Sequence, residues 1–184
     1  TVRPDGQTNV GAGAGQPVVL TFTSANWSVP RTVTATAVDD SVSEGPHDST
    51  ITHTATSGDA RYHNIAINSV VAHITDNDTT GVTVVESGGS TSVNEAGPTS
   101  DTYTIVLNTQ PVADVTVTVT PDLQLDVGSG PGIAVGITFQ PANWNVARSI
   151  TVTAVDDRVA EGNHSGTITH SVTSGDGGYN GMAV

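Results

Sequence analysis

Apolar and polar residues alternate with a period of two along much of the chain. In residues 31–38, RTVTATAV, Val33, Ala35 and Ala37 fall on one face and three threonines on the other. Residues 148–155, RSITVTAV, set out Ile150, Val152 and Ala154 in the same way. DTYTIVL offers Tyr103, Ile105 and Leu107, and DVTVTVT and STITHTAT alternate likewise. One apolar face opposite one threonine-rich face marks a strand packed on a core from one side. The clusters ESGGS, NEAGPTS, GSGPG and SGDGGYNG fall between these runs as turns. No 3.6-residue periodicity interrupts the pattern, so the chain is expected to be all-β.

The pattern repeats. ANW at residues 25–27 recurs at 142–144, an offset of 142 − 25 = 117. The same offset carries Asp39 and Asp40 to Asp156 and Asp157, Glu44 to Glu161, His53 to His170, and Tyr62 to Tyr179. It aligns residues 1–67 with 118–184 without a gap, and more than half of the positions are identical. Self-similarity at a fixed period is the signature of a repeated structural unit. About seven short strands per hundred-odd residues is the count of an immunoglobulin-like fold. The expected architecture is therefore tandem immunoglobulin-like antiparallel Greek-key β-sandwiches. In this frame residues 1–80 form a unit lacking its first strands, and residues 81–184 a unit lacking its last strand. A window on a longer tandem array accounts for that frame better than exchange of strands between chains.

Composition narrows the partners. The chain carries 18 acids against 5 bases, all arginine, for a net charge of −13. That balance argues against nucleic acid and anionic membranes and favours divalent cations as counter-ions. Cysteine is absent, so no disulfide or thiolate chemistry is available. No apolar run is long enough to span a bilayer.

Against this sparse charge, the segment AVDDSVSEG at 37–45 and its counterpart AVDDRVAEG at 154–162 each hold three acids. Consecutive aspartates on a loop can reach two sides of one ion, and a glutamate four residues on can close around it. Calcium takes six to eight oxygens from carboxylates and backbone carbonyls. Asp39, Asp40 and Glu44 form one such set and Asp156, Asp157 and Glu161 the other, with the carbonyls of Val42 and Val159 as further ligands. A solvated acidic loop is the plain alternative. TDND at 75–78 adds Asp76 and Asp78, two residues apart after the strand VVAHI.

Together these residues resemble the Calx-β domain, a calcium-binding sandwich of exchangers, integrin β4 and bacterial surface proteins. The resemblance covers essentially the whole chain. It implies Ca2+ bound at one pole of the sandwich, with Glu95 as an early glutamate ligand and Asp5 and Asp122 as the acid after a middle strand. Asp39, Asp40 and Glu44, and likewise Asp156, Asp157 and Glu161, match the loop ligands, and Asp76 and Asp78 the final run. The chain departs from the exchanger type in having histidine and small polar residues after the loop, in EGPHDSTITH and EGNHSGTITH. Fewer carboxylates imply fewer or weaker ions. The bacterial subset implies an extracellular or cell-surface setting, a stalk, adhesin or filament, and neighbouring repeats of the same protein as partners in a homopolymer or tandem array.

Other chemistry is thin. No nucleophile elbow, phosphate loop or HExxH occurs, so no enzymatic activity is expected. His53 and His170 share strand faces with Ile51 and Ile168 and read as sandwich residues. Asp59 and Asp176 read as turn formers. Trp27 and Trp144 read as core anchors under a loop. Stacking on a sugar is their alternative, which would make the chain a carbohydrate- or ligand-binding surface module. Asn26, Asn77 and Asn163 lie in N-x-S/T sequons.

Overall fold

A computed structural model describes every residue except Pro98, which belongs to the expected turn at 94–100 and lies outside the described residues. The protein is all-β with antiparallel pairing throughout. It divides into two compact units: residues 1–40 with 44–77, and residues 41–43 with 78–184.

In the first unit, β1 (Val2–Arg3), β4 (His47–His53) and β5 (Val70–Ile74) form one sheet in the order β1-β4-β5. A ribbon pairs β2 (Thr8–Asn9) with β3 (Thr36–Ala37). Its apolar cluster is small: Val2, Val10 and Ile51 are buried, with Val18, Leu20 and Val33 packed against them.

The second unit has two larger sheets. One joins β6 (Val82–Glu86), β7 (Ser100–Leu107), β11 (Arg148–Ala154) and β9 (Leu125–Asp126) in the order β6-β7-β11-β9. The other places β8 (Val115–Pro121) between β10 (Val135–Phe139) and β12 (Ile168–Ser174). Alternation along each strand now has a visible purpose. Val115, Val117 and Val119 of β8 are fully buried, while the intervening threonines are not. Tyr103, Ile105 and Leu107 of β7, with Ile150 and Val152 of β11, meet them from the facing sheet, and Phe139 and Val172 complete the cluster. Burying a Val, Ile or Phe side chain contributes about 1.5–3 kcal/mol, so this cluster outweighs the three-residue cluster of the first unit several-fold.

Loop geometry repeats between the units. Asn9 Oδ1 accepts hydrogen bonds from the N–H groups of Gly11 (2.7 Å) and Gly13 (2.9 Å). Asp126 Oδ1 does the same for Gly128 (2.6 Å) and Gly130 (2.9 Å). Each loop ends on a glycine in the left-handed region, Gly15 at φ +65° and Gly132 at φ +68°. Glycine tolerates that conformation without the Cβ clash that penalises other residues.

Two expectations fail in the first unit. Residues 31–38 were expected to form a strand, yet only Thr36–Ala37 does so, and Ala35 and Ala37 are exposed. The counterpart, β11, is a strand over its full length because β7 runs beside it with Arg148 opposite Ile105 and Ile150 opposite Tyr103. A strand exists only where a neighbour supplies its ladder. Trp27, expected as a core anchor, is 71% exposed, whereas Trp144 is half-buried against the core of the second unit.

Candidate cation site

The first unit brings four of the expected acids to one place. Asp39, Asp40, Glu44 and Asp76 line a cavity of about 80 Å³ together with His47 and Asn77. Asp39 and Asp40 follow β3, Glu44 and His47 bracket the start of β4, and Asp76 follows β5. Asp76 acts first as a clamp: its Oδ2 accepts the N–H groups of Glu44 (2.7 Å) and Gly45 (2.8 Å), fixing the loop against the end of β5. The Glu44 carboxylate is held in turn by Gln7 Nε2, at 2.8 Å to Oε1 and 3.0 Å to Oε2.

Asp5 stands one step behind. Its carboxylate accepts the N–H groups of Gln7 (3.1 Å) and Thr50 (2.7 Å) and the Ser49 hydroxyl. The Ser49 bond is the main reason the Asp5 carboxyl is held below the usual aspartate range. These bonds seat Gln7 and the start of β4, and through Gln7 they position Glu44.

The second unit repeats the arrangement 117 residues on. Asp122 accepts the N–H groups of Gln124 (3.1 Å) and Thr167 (2.6 Å), and Gln124 Nε2 donates to Glu161 Oε1 at 3.0 Å. Glu95 joins Glu161 here: with His164 they place three ligand atoms within 4.8 Å of one another. His164 Nδ1 lies 3.0 Å from the Gly162 carbonyl, which can only accept, so Nδ1 carries the proton. Nε2 then faces Glu161 Oε2 at 3.5 Å and Glu95 Oε1 at 3.7 Å. The Gly162 bond, with the nearby carboxylates of Glu161 and Glu95, holds His164 above the ordinary histidine value. Asp156 and Asp157 are exposed, and among the described residues they do not join this group. Asp157 Oδ1 accepts the N–H of Val159 at 2.6 Å.

Two expected ligands group with the second unit rather than the first: Val42, in residues 41–43, and Asp78, whose carbonyl accepts the Ser43 hydroxyl at 3.1 Å.

Both groups combine carboxylates with an imidazole: His47 lines the first unit's cavity with the four acids, and His164 faces Glu95 and Glu161 in the second unit. Carboxylate oxygens suit a hard cation such as calcium, which takes oxygen ligands in a flexible shell, and an imidazole nitrogen does not. The alignment missed Gln7, Gln124, His47 and His164 as members of these sites, although all four keep the 117-residue register. His47 matters most: its Nδ1 lies 2.8 Å from the Gly45 carbonyl, and its Nε2 is buried without a hydrogen-bond partner, 3.6 Å from Glu44 Oε2.

The expected turn aspartates have structural partners. Asp176 accepts the N–H groups of Val112 and Gly178, both at 2.8 Å, and Asp59 pairs with Arg61 at 2.8 Å. His170 packs edge-on against Tyr103, with Nε2 3.0 Å from the phenolic oxygen. Among the described residues no helix is long and apolar enough to cross a membrane.

No family model, curated protein or solved structure matches the chain.

Proposed function

We propose that the chain is a calcium-binding structural repeat of a long extracellular protein, built as tandem immunoglobulin-like sandwiches and serving as a stalk, adhesin or filament. The observation that carries this reading is the cavity of the first unit, where Asp39, Asp40 and Glu44 of the β3–β4 loop share a lining with Asp76, which follows β5. Among the described residues the acids of this cavity do not place three ligand atoms within 4.8 Å of one another, so a cation would draw them together as it bound. The ion would tie the loop between β3 and β4 to the end of β5. The resemblance to the Calx-β domain and the net charge of −13 support the same reading. No catalytic role is assigned to any residue.

The test is thermal unfolding in calcium and in EGTA. Ligand at about one hundred times its dissociation constant stabilises a fold by about 2.7 kcal/mol. The first unit should therefore melt about 10 °C higher with calcium, on the usual scale for small domains. Equal melting temperatures would remove the calcium claim.

A further inference from the structure

Glu161 and His164 meet at the loop after β11, and Glu95 reaches them from the loop between β6 and β7. Two of the three are held from behind. The Gly162 carbonyl, 3.0 Å from His164 Nδ1, accepts the ring proton and leaves the Nε2 lone pair facing Glu161 Oε2 at 3.5 Å and Glu95 Oε1 at 3.7 Å. Gln124 Nε2 donates to Glu161 Oε1 at 3.0 Å, so Oε2 is the atom turned to the imidazole. A lone pair aimed at two carboxylates is unfavourable until a positive charge comes between them. That charge is either a proton on Nε2 or a metal ion.

The distances decide between the two. A proton shared in a hydrogen bond brings nitrogen and oxygen to about 2.7–3.2 Å, and both separations here are longer. Zinc bonds of about 2.0–2.2 Å put the corners of a tetrahedron about 3.3–3.6 Å apart, close to what is seen. The first unit repeats the arrangement at the same register: His47 Nδ1 lies 2.8 Å from the Gly45 carbonyl, and Nε2 is buried without a hydrogen-bond partner, 3.6 Å from Glu44 Oε2.

We propose that Glu95, Glu161 and His164 form a site for a divalent transition ion of the zinc class, with its fourth position open to water. Zinc takes imidazole and carboxylate in one shell, whereas calcium takes oxygen. The carbonyl behind His164 and the amide behind Glu161 are the outer partners that orient such ligands. In the first unit the imidazole stands beside four carboxylates, and among the described residues no three donor atoms there come within 4.8 Å of one another. The zinc site does not depend on calcium in that cavity.

The experiment titrates the intact chain with zinc chloride after EDTA treatment and removal of the chelator, following histidine ring signals by NMR and heat by calorimetry. The His164 signals, assigned by their loss in His164→Gln, should shift saturably with zinc and stay unmoved at the same concentration of calcium. Glu95→Gln should weaken that shift at least tenfold and Gln124→Ala, which touches no metal, about tenfold. His164→Gln should remove one binding event from the zinc isotherm. Asp39→Asn/Asp40→Asn should leave the His164 shift unchanged while weakening calcium binding, so failure of one reading is visible without the other. Unfolding without metal, followed by Trp144 fluorescence in a W27F background, checks that each variant folds, and Glu95→Gln carries the test if His164→Gln does not. His164 signals unmoved by saturating zinc, an unchanged shift in Glu95→Gln, or calcium moving the same signals at the same concentration would overturn the proposal.

Discussion

Tyr179 and Tyr62 occupy equivalent positions and predict opposite responses to loss of one oxygen. The Tyr179 hydroxyl bonds the N–H, Oγ1 and carbonyl of Thr109 at 3.1, 2.8 and 2.7 Å, and Thr109 is itself buried. Tyr179→Phe keeps the ring and removes all three partners at once. A buried polar group left unsatisfied costs about 1–3 kcal/mol. Two backbone groups and a hydroxyl are affected, some of which relaxation will satisfy, so the loss should be about 3 kcal/mol. For a unit of this size each kcal/mol shifts the midpoint by about 4 °C, giving a drop of about 12 °C. Tyr62→Phe acts on an exposed side chain and should change stability by less than about 0.5 kcal/mol. Trp27 and Trp144 report the two units separately, so thermal unfolding followed by fluorescence in W27F and W144F backgrounds reads each effect in its own unit. A drop below about 3 °C for Tyr179→Phe would show that the hydroxyl network is not what secures this end of the core. A comparable drop for Tyr62→Phe would show that the face bearing Tyr62 is not open.

Three further outcomes follow from the same geometry. Asp126 is held below the usual aspartate range, chiefly by the Gly128 N–H, so its stabilisation is complete above about pH 4 and is lost as pH falls through the lower folded value. Because Asn9 makes the same two bonds, Asp126→Asn should leave melting at pH 7 within a few degrees and reduce the acid sensitivity of the second unit. Gly132→Ala places a Cβ 2.8 Å from Leu123 Cδ2 at a φ of +68°. It should cost at least about 1 kcal/mol, read by urea unfolding. Burial lowers the His170 value below that of a free histidine. The folded state therefore binds fewer protons, and the second unit should lose stability as pH falls below about 6.5. His170→Gln should flatten that part of the curve in a pH series of melting temperatures.

What the sequence discloses follows the range of the forces involved. Alternation names the buried faces of β7, β8 and β11 residue by residue, because the pleat alone decides which side each residue faces. Residues 31–35 carry the same alternation and form no strand, since a ladder needs a partner that local pattern cannot supply. Asp39, Asp40, Glu44 and Asp76 were legible as candidate ligands because acids are scarce in this chain and these are grouped. The roles of Gln7 and His47 were not legible. A glutamine that steers a glutamate 37 positions away depends on how distant loops meet, and the histidine, turned by its bond to Gly45 two residues back, enters the site only once Asp76 closes against that loop. Asp5 and Asp122 were expected as ligands, and their carboxylates are engaged with backbone N–H groups that set the loop conformation.

The account rests on a cation in the first unit's cavity, and isothermal titration of the chain with calcium, after EGTA treatment and removal of the chelator, measures it most directly. A saturable isotherm is predicted, completed by about 1 mM, within the affinity range of extracellular modules. It should weaken at least tenfold in Asp39→Asn/Asp40→Asn and be unaffected by Asp156→Asn/Asp157→Asn, whose carboxylates lie outside the convergent group of the second unit. An absence of heat at millimolar calcium, with the melting temperature unmoved, would contradict it.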